Sequence, residues 1–276
     1  MDDHYRLLSV AVNVRTTHSG LAEALRWHLA PFRRPRPARR RFVAWFYPED
    51  GADPGELQYV RNGDRKRVGP PADLLNYAVW DLHALVAKRT RDFLLLHAGA
   101  VERDGGAVIL PAPPESGKSS TTIALLEAGF GYLSDELGAI DPVTGRVYPY
   151  PKRIWVTEGS FELFPDLKER LHDRDGLSGQ FVKRYVRPED LDAPLGQAGP
   201  VRLVVFPTGE HHGPPRLTRL GRAEAVHGLA ANAFNLPIYG ERGLERLAQI
   251  GRGAPAYRLD GGTPRERAAS IIELLG

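Results

Sequence analysis

The sequence contains no cysteine, which excludes disulfide bonds, thiolate nucleophiles and cysteine-ligated zinc. Long apolar runs are also missing: the longest span only a few residues, far short of the roughly 18 that a membrane-spanning helix needs. The acidic start, Met1-Asp2-Asp3, differs from the basic n-region of a signal peptide. We therefore expect a cytoplasmic protein that has no membrane as a partner and whose chemistry uses oxygen, imidazole, phosphate and hard cations.

Positive and negative charges nearly balance, because the sequence has 37 lysines and arginines and 34 aspartates and glutamates. The resulting net charge of +3 argues against nucleic acid as a partner. Only six of those 37 cations are lysines, so a lysine inside a motif carries more information than usual. The nine histidines are scattered without metal-ligand spacing such as His-Glu-x-x-His.

A chain of 276 residues with 42% hydrophobic content is long and apolar enough to bury a core, and its length predicts one large domain or two closely packed ones. Residues 1–90 have the pattern of a small α/β region. From Phe93 the pattern changes to apolar β segments separated by glycine-rich turns, followed by a mostly helical tail after Arg222. We therefore place the domain boundary at about residue 90, with the second domain over 91–276.

In the first region, hydrophobic periodicity predicts strands near 7–15, 42–47, 57–60 and 65–68 and helices over 20–29 and 70–89. Asn62-Gly63 is typical of a hairpin turn.

A basic stretch broken by prolines is predicted to be a solvated linker, with contact to an anionic peptide or phosphate, or to nucleic acid, as alternatives. Its cations are Arg33, Arg34, Arg36, Arg39, Arg40 and Arg41. Near the C-terminus, Thr263-Pro264-Arg265-Glu266 is typical of a capped helix start.

The most informative segment runs from Val108 to Leu126, where a buried strand, a tight loop and an amphipathic helix follow one another. It predicts a P-loop, whose backbone N–H groups and helix N-terminus face phosphate oxygens, while the lysine reaches the β- and γ-phosphates and the next hydroxyl binds Mg²⁺. Lys118 and Ser119 fit those two roles. Because alanine replaces the first glycine of G-x-x-x-x-G-K-[ST], a plain strand-turn-helix is the alternative. The predicted nucleotide-binding residues are Ala112, Pro113, Pro114, Glu115, Ser116, Gly117, Lys118, Ser119 and Ser120.

A second apolar strand precedes this loop, and Asp104-Gly105 between the two strands is a strong hairpin signal. A two-residue turn fixes the register, so Val101 should face Val108 and His97 should face Ala112. His97 would then lie beside the opening of the phosphate loop. The alternative is a hydrogen-bonded histidine in the core.

Downstream of the predicted helix, a short strand ends at Ser134 and leads into Asp135-Glu136. If this strand is the parallel neighbour of the one before the loop, a right-handed crossover brings Asp135 to the same sheet edge as Lys118. We predict Asp135 as the base that takes the proton of an acceptor hydroxyl, with Ser119, Asp135 and Glu136 as candidate metal ligands. The alternative is a solvated turn before Gly138.

His97, Ser116-Gly117-Lys118-Ser119 and Ser134-Asp135-Glu136 together resemble the C-terminal domain of HPr kinase/phosphorylase, and more closely the HPr-kinase-related proteins. Some of those relatives phosphorylate lasso-peptide precursors. The resemblance extends loosely over most of the chain, including 201–207, 222–226 and 232–235, and is specific over 93–141. It implies an α/β fold with a phosphoenolpyruvate-carboxykinase-like P-loop domain, ATP and Mg²⁺ as cofactors, and a serine hydroxyl as acceptor.

The same resemblance implies roles for individual residues. Lys118 and Ser119 would hold phosphate and metal, Asp135 would be the base with His97 as its partner, and Glu136 would take the second acidic position. Assembly into a homo-oligomer is implied too, although the sequence carries no dimerisation signature. The second glycine-rich signature of true HPr kinase/phosphorylases does not follow the acidic pair, so HPr is not the expected substrate.

The leading functional prediction is an ATP- and Mg²⁺-dependent kinase for a Ser or Thr hydroxyl of a peptide or small protein, such as a natural-product precursor peptide. A kinase for a small alcohol, either a free amino acid or a sugar, is one alternative, and a regulatory protein that binds nucleotide without catalysis is another.

Two further features of the sequence have roles that it leaves open. Lys152 and Arg153 would either neutralise phosphoryl charge or lie on the surface. His211-His212 is predicted to be an exposed loop tip.

Overall fold

A computed structural model describes residues 1–36, 38, 39, 41–48, 55–171 and 184–276 of the chain. Within these residues, no helix is both long enough and apolar enough to cross a membrane. The chain is a mixed α/β protein whose contacts divide it into two units. The first unit consists of Met1–Thr90 and Leu171–Arg184, and the second of Arg91–Arg170 and Tyr185–Gly276.

The described residues of the first unit form a mixed sheet and two α-helices. Its elements are β1 (Asp2–Leu7), β2 (Val10–Thr16), α1 (Ser19–Leu29), β3 (Arg33–Arg34), β4 (Phe42–Pro48), β5 (Leu57–Arg61), β6 (Asp64–Gly69) and α2 (Pro71–Arg89). The strand order is β3-β1-β2-β4-β5-β6, and only β2 and β4 run parallel among these neighbours in the described part of the chain. Alternate strand residues such as Tyr5, Phe46 and Tyr59 are buried, as expected for a sheet with one covered face.

The strand predicted near 7–15 corresponds to β2, but its partner β1 was not predicted. The β1–β2 hairpin turns at Leu8 with a φ of +51°, and leucine seldom adopts this conformation and does not mark a turn. One sequence prediction for this unit needs correction. The predicted basic linker is partly a strand, because β3 pairs with β1 and Arg33 lies 3.3 Å from the Asp3 carboxylate. Arg40 lies outside the described residues. The Asn62-Gly63 turn is confirmed, with φ values of +52° and +87°.

The second unit begins with the hairpin β7 (Leu94–Arg103) and β8 (Gly106–Pro111), which leads into α3 (Lys118–Glu127). The elements that follow are β9 (Gly131–Ser134), β10 (Leu137–Ile140), β11 (Arg146–Tyr148), β12 (Ile154–Val156), α4 (Glu158–Leu163), α5 (Pro165–Arg170), β13 (Arg184–Val186), β14 (Gly199–Pro207), β15 (Arg216–Arg219), α6 (Arg222–Ala231), α7 (Leu236–Tyr239), α8 (Glu241–Gly253), β16 (Ala256–Asp260) and α9 (Pro264–Glu273). The predicted capping box of α9 is confirmed, because Thr263 and Glu266 each accept a hydrogen bond from the other's backbone N–H.

The main sheet of this unit has the order β11-β10-β7-β8-β14-β16-β15, and β9 also pairs with β7. Strands β8, β14 and β16 are parallel, so their carboxyl ends share one edge of the sheet. The loops that begin at Ala112, Thr208 and Gly261 therefore meet at that edge, which is where ligands bind in open α/β sheets.

The hairpin prediction is confirmed, since Val101 faces Val108 and Gly99 faces Leu110. The crossover prediction is partly wrong. Strand β9 is parallel in direction to β8 but is not its neighbour, because β7 lies between them and pairs antiparallel with both. The carboxyl end of β9 still lies at the edge of the sheet where β8 ends. Asp135 therefore lies at the predicted edge, although β9 pairs with β7 and not with β8.

Candidate active site

The loop between β8 and α3 has the backbone conformation of a tight turn. Glu115 and Gly117 have φ values of +64° and +83°, and Gly117 is the N-cap of α3. Ala112, which replaces the expected glycine, has a negative φ that suits alanine. Its N–H donates to the His97 carbonyl at 3.2 Å, so it belongs to the hairpin and does not face the loop. With Pro113 and Pro114 also unable to donate, the N–H groups that can bind an anion begin at Glu115.

Lys118 is the first residue of α3, and its side chain is buried. Its Nζ donates to the Pro113 carbonyl at 2.8 Å, and the Ser116 hydroxyl donates to the same oxygen at 2.9 Å. Burial lowers the pKa of Lys118 to about 8, because a charged ammonium is poorly solvated there. The loop thus supplies the hydrogen-bond acceptor for Lys118. In a phosphate complex, a phosphate oxygen would replace the Pro113 carbonyl as the acceptor for the Lys118 ammonium.

Arg267, a residue that the sequence did not single out, holds this loop from the far end of the chain. Its side chain is 1% exposed and donates only to backbone carbonyls in the contacts described, namely those of Ser116 at 3.2 Å, Thr208 at 3.3 Å, Glu210 at 2.5 Å and Gly261 at 2.6 Å. One guanidinium therefore ties together the three loops that follow the parallel strands. No sequence motif predicts this role for Arg267. An arginine that follows another arginine by two residues on a helix is expected to be exposed.

His211 was predicted to be an exposed loop tip, and its side chain is exposed. It also packs on the phosphate loop, since a Cβ placed on Gly117 would lie 3.0 Å from His211 Cε1 and 2.9 Å from Arg267 Nη1. Gly117 is therefore required both by its positive φ and by the close approach of these two side chains.

Asp135 lies beside the start of α3. Its Oδ2 accepts a hydrogen bond from the Ser119 hydroxyl at 3.2 Å, and its Oδ1 lies 3.7 Å from Lys152 Nζ and 3.4 Å from the Tyr132 hydroxyl. Burial raises the pKa of Asp135, and the nearby ammonium of Lys152 offsets part of that rise. A buried carboxylate with a raised pKa is a stronger base than an exposed one.

Glu136 and Lys152 form an ion pair next to Asp135. Lys152 is only 12% exposed at its side chain, so the alternative of a surface charge is wrong for this residue. Burial opposes the charge on Lys152, but Asp135 and Glu136 outweigh it and raise the pKa of the ammonium. Arg153 is buried too, and its guanidinium lies 3.6 Å from the Glu189 carboxylate.

His97 is fixed by its backbone on both sides. Its carbonyl accepts from Ala112, and its N–H donates to the Asn232 carbonyl at 2.7 Å. Burial and the charge of Lys118 lower the pKa of His97 to about 4, so the imidazole is neutral near pH 7. The charge of Glu136 opposes this lowering of the His97 pKa and the charge of Lys152 adds to it, so both charges lie within electrostatic range of the imidazole.

Residues 232–235 extend the site beyond the end of β8. The Phe234 N–H donates to the Leu95 carbonyl, and the Asn235 side chain accepts from the Leu95 N–H at 2.8 Å and donates to the Phe93 carbonyl at 2.9 Å. This pins the segment to β7, where the Phe234 ring lies 5.4 Å from the His97 ring. Apart from the loose resemblance over 232–235, no chemical signal in the sequence places Phe234 here.

The residues present suit Mg²⁺ that is carried by a nucleotide. Ser119 and Asp135 bring a hydroxyl and a carboxylate oxygen to one place, and hard cations prefer such ligands. Among the described residues, no group of three or more His, Asp or Glu side chains could form a metal site by itself. Proteins usually bind Mg²⁺ through one or two protein oxygens together with the phosphates of a nucleotide.

No protein-family model matches this chain, and no curated protein matches it. The geometry of the site therefore carries the functional argument.

Proposed function

We propose that this protein is an ATP- and Mg²⁺-dependent phosphotransferase that phosphorylates a Ser or Thr hydroxyl on a peptide or small protein. The observation that carries the proposal is the hydrogen bond between the Ser119 hydroxyl and the buried Asp135 carboxylate. It brings together the N-terminus of α3, which would bind phosphates, and a candidate base, next to the buried lysine Lys118.

The proposal includes the fold type that the resemblance implies, a P-loop domain of the phosphoenolpyruvate-carboxykinase kind in the second unit. Support comes from the order of elements, since a strand leads through a positive-φ loop into a helix that begins with Lys118. Further support comes from the Asp135 side chain at the same sheet edge, and from His97, which is held beside the loop by the hairpin. Assembly into oligomers and a cytoplasmic location are likewise parts of this proposal.

In the proposed reaction, the acceptor oxygen attacks the γ-phosphorus in line with the bond to the β–γ bridging oxygen. The new O–P bond forms as the old one breaks, ADP leaves with the electron pair of that bond, and the hydroxyl proton passes to the Asp135 carboxylate. Lys118 moves from the Pro113 carbonyl to the phosphates and offsets their charge. Ser119 and one carboxylate of the acidic pair would hold Mg²⁺, which neutralises charge on the β- and γ-phosphates when bound.

The decisive experiment compares Asp135→Asn with wild type. Asparagine keeps the size of the side chain and can still accept a hydrogen bond from Ser119, but it cannot take a proton. We expect phosphate transfer from ATP to a library of Ser/Thr peptides to fall by about 10²–10⁴-fold, the range typical of a lost general base, while the variant still binds ATP.

Asp141→Asn is the matched control, because Asp141 caps an exposed turn at the opposite end of β10 and accepts from the Val143 and Thr144 N–H groups. It should leave transfer unchanged. Full transfer activity in Asp135→Asn would contradict the proposal. Binding of ATP without turnover on peptides or on a panel of small alcohols would instead favour a regulatory nucleotide-binding protein.

A further inference from the structure

An exposed aromatic side chain lies next to the proposed reaction centre without an evident structural need. Phe234 is 46% exposed, although its backbone is firmly held against β7. An exposed aromatic ring that is held in place beside a site is available to pack against a bound molecule.

The position of Phe234 along the phosphate loop indicates which part of a substrate it would meet. Its ring contacts His97, whose carbonyl binds Ala112 at the beginning of the loop. The Lys118 ammonium, which reaches the terminal phosphates in P-loops, donates to the carbonyl of Pro113. Pro113 directly follows Ala112 in the chain. Phe234 therefore flanks the γ-phosphate end of a bound nucleotide, the end that the acceptor must approach.

The base end of the nucleotide lies elsewhere by the same reasoning. A triphosphate that begins at Lys118 runs along the N-terminus of α3, away from the start of the loop. The side chains near that part of the loop are His211 and Arg267, which contact Gly117. Stacking of the base on Phe234 is thus the less favoured arrangement.

We propose that Phe234 forms an apolar subsite that binds the side chain next to the phosphorylated residue of the acceptor, so that the preferred acceptor is a peptide with a large apolar residue adjacent to its Ser or Thr. The proposal rests on the proposed kinase function and narrows its substrate class. A free amino acid or a sugar has no such neighbouring side chain and gains nothing from this surface.

The test uses the full chain and two synthetic peptides that differ only at the residues on either side of one serine, leucine in the first and glutamine in the second. Transfer from ATP is measured as kcat/KM, and binding of each peptide is measured by fluorescence anisotropy in the presence of a non-hydrolysable ATP analogue. We expect wild type to favour the leucine peptide by about tenfold or more, as expected for burial of one such side chain.

Phe234→Ala should reduce this preference to less than about threefold and leave the KM for ATP unchanged, while Phe234→Leu should retain most of it. Val143→Ala is the matched control, because Val143 is also apolar and is 81% exposed, but it lies in the turn beyond the far end of β10. It should behave as wild type.

The outcomes separate this proposal from the kinase proposal. Leucine-peptide binding that depends on Phe234 but is followed by no transfer would support the subsite and overturn the kinase function. Equal binding of the two peptides by wild type, or no binding of either, would overturn the subsite. Weaker ATP binding in Phe234→Ala with an unchanged peptide preference would overturn it too, and would assign Phe234 to the nucleotide base.

Discussion

Replacing Arg267 tests whether one buried guanidinium holds the loops of the site together. Arg267→Met keeps much of the aliphatic volume but removes the donors to the Ser116, Thr208, Glu210 and Gly261 carbonyls. A carbonyl that loses its partner in a buried place costs about 1–3 kcal/mol. Taking the low end for each of the four carbonyls, since water can reach the more exposed loops, we expect the free energy of unfolding to fall by about 3–4 kcal/mol.

The same helix offers a matched control. Arg265, two residues earlier, is 53% exposed at its side chain and lies 3.1 Å from the Glu127 carboxylate. An exposed ion pair of this kind contributes at most about 1 kcal/mol, so Arg265→Met should cost no more than that. The two variants remove the same chemical group from the same helix, and therefore the difference between them reports the buried contacts.

The assay is urea unfolding followed by far-ultraviolet circular dichroism, with the transition of the second unit fitted separately because two units need not unfold together. Binding of ATP to the folded variant is measured in parallel. Arg267→Met should also weaken ATP binding, because the Ser116 carbonyl is no longer fixed and the loop is less ordered. Equal losses of stability in Arg267→Met and Arg265→Met would refute the reasoning.

Two further predictions concern the strand that carries His97. A Cβ at Gly99 would lie 2.6 Å from Thr122 Oγ1, so Gly99→Ala should lower the free energy of unfolding by about 1–3 kcal/mol. In a Thr122→Ala background it should cost less than about 1 kcal/mol, and an undiminished loss there would contradict the clash. The second prediction concerns acid stability: because burial lowers the pKa of His97 to about 4 from an ordinary 6.5, the unfolded chain takes up this proton first as the pH falls. Between pH 6.5 and 4 His97 should therefore cost up to about 3 kcal/mol of stability, levelling off below that range, and a His97→Asn variant with the same pH profile as wild type would argue against it.

Local chemistry determined several parts of the structure that the sequence predicted correctly. Asp104-Gly105 and Asn62-Gly63 specify tight turns because both residues must take positive φ, and a two-residue turn leaves one register for the strands beside it. The α9 cap is equally local, since Thr263 and Glu266 satisfy each other's N–H groups. In these cases, the interacting groups are within a few residues of one another.

Other features were decided by contacts between distant segments. The sequence could not show that β7 would lie between β8 and β9, because strand order depends on which apolar faces pack together. The turn at Leu8 was missed for a related reason, since the sheet holds leucine in a conformation that its own preferences disfavour.

The candidate site divides in the same way. The sequence by itself determined the loop, its lysine and the position of His97 opposite Ala112, because a short motif and a hairpin register fix them. Only the tertiary structure decided that Lys152 is buried against the acidic pair, that Arg267 ties the loops and that Phe234 stands beside His97. The identity of a charged or aromatic residue does not show whether its side chain is exposed or buried. That depends on chain segments that lie far away in sequence.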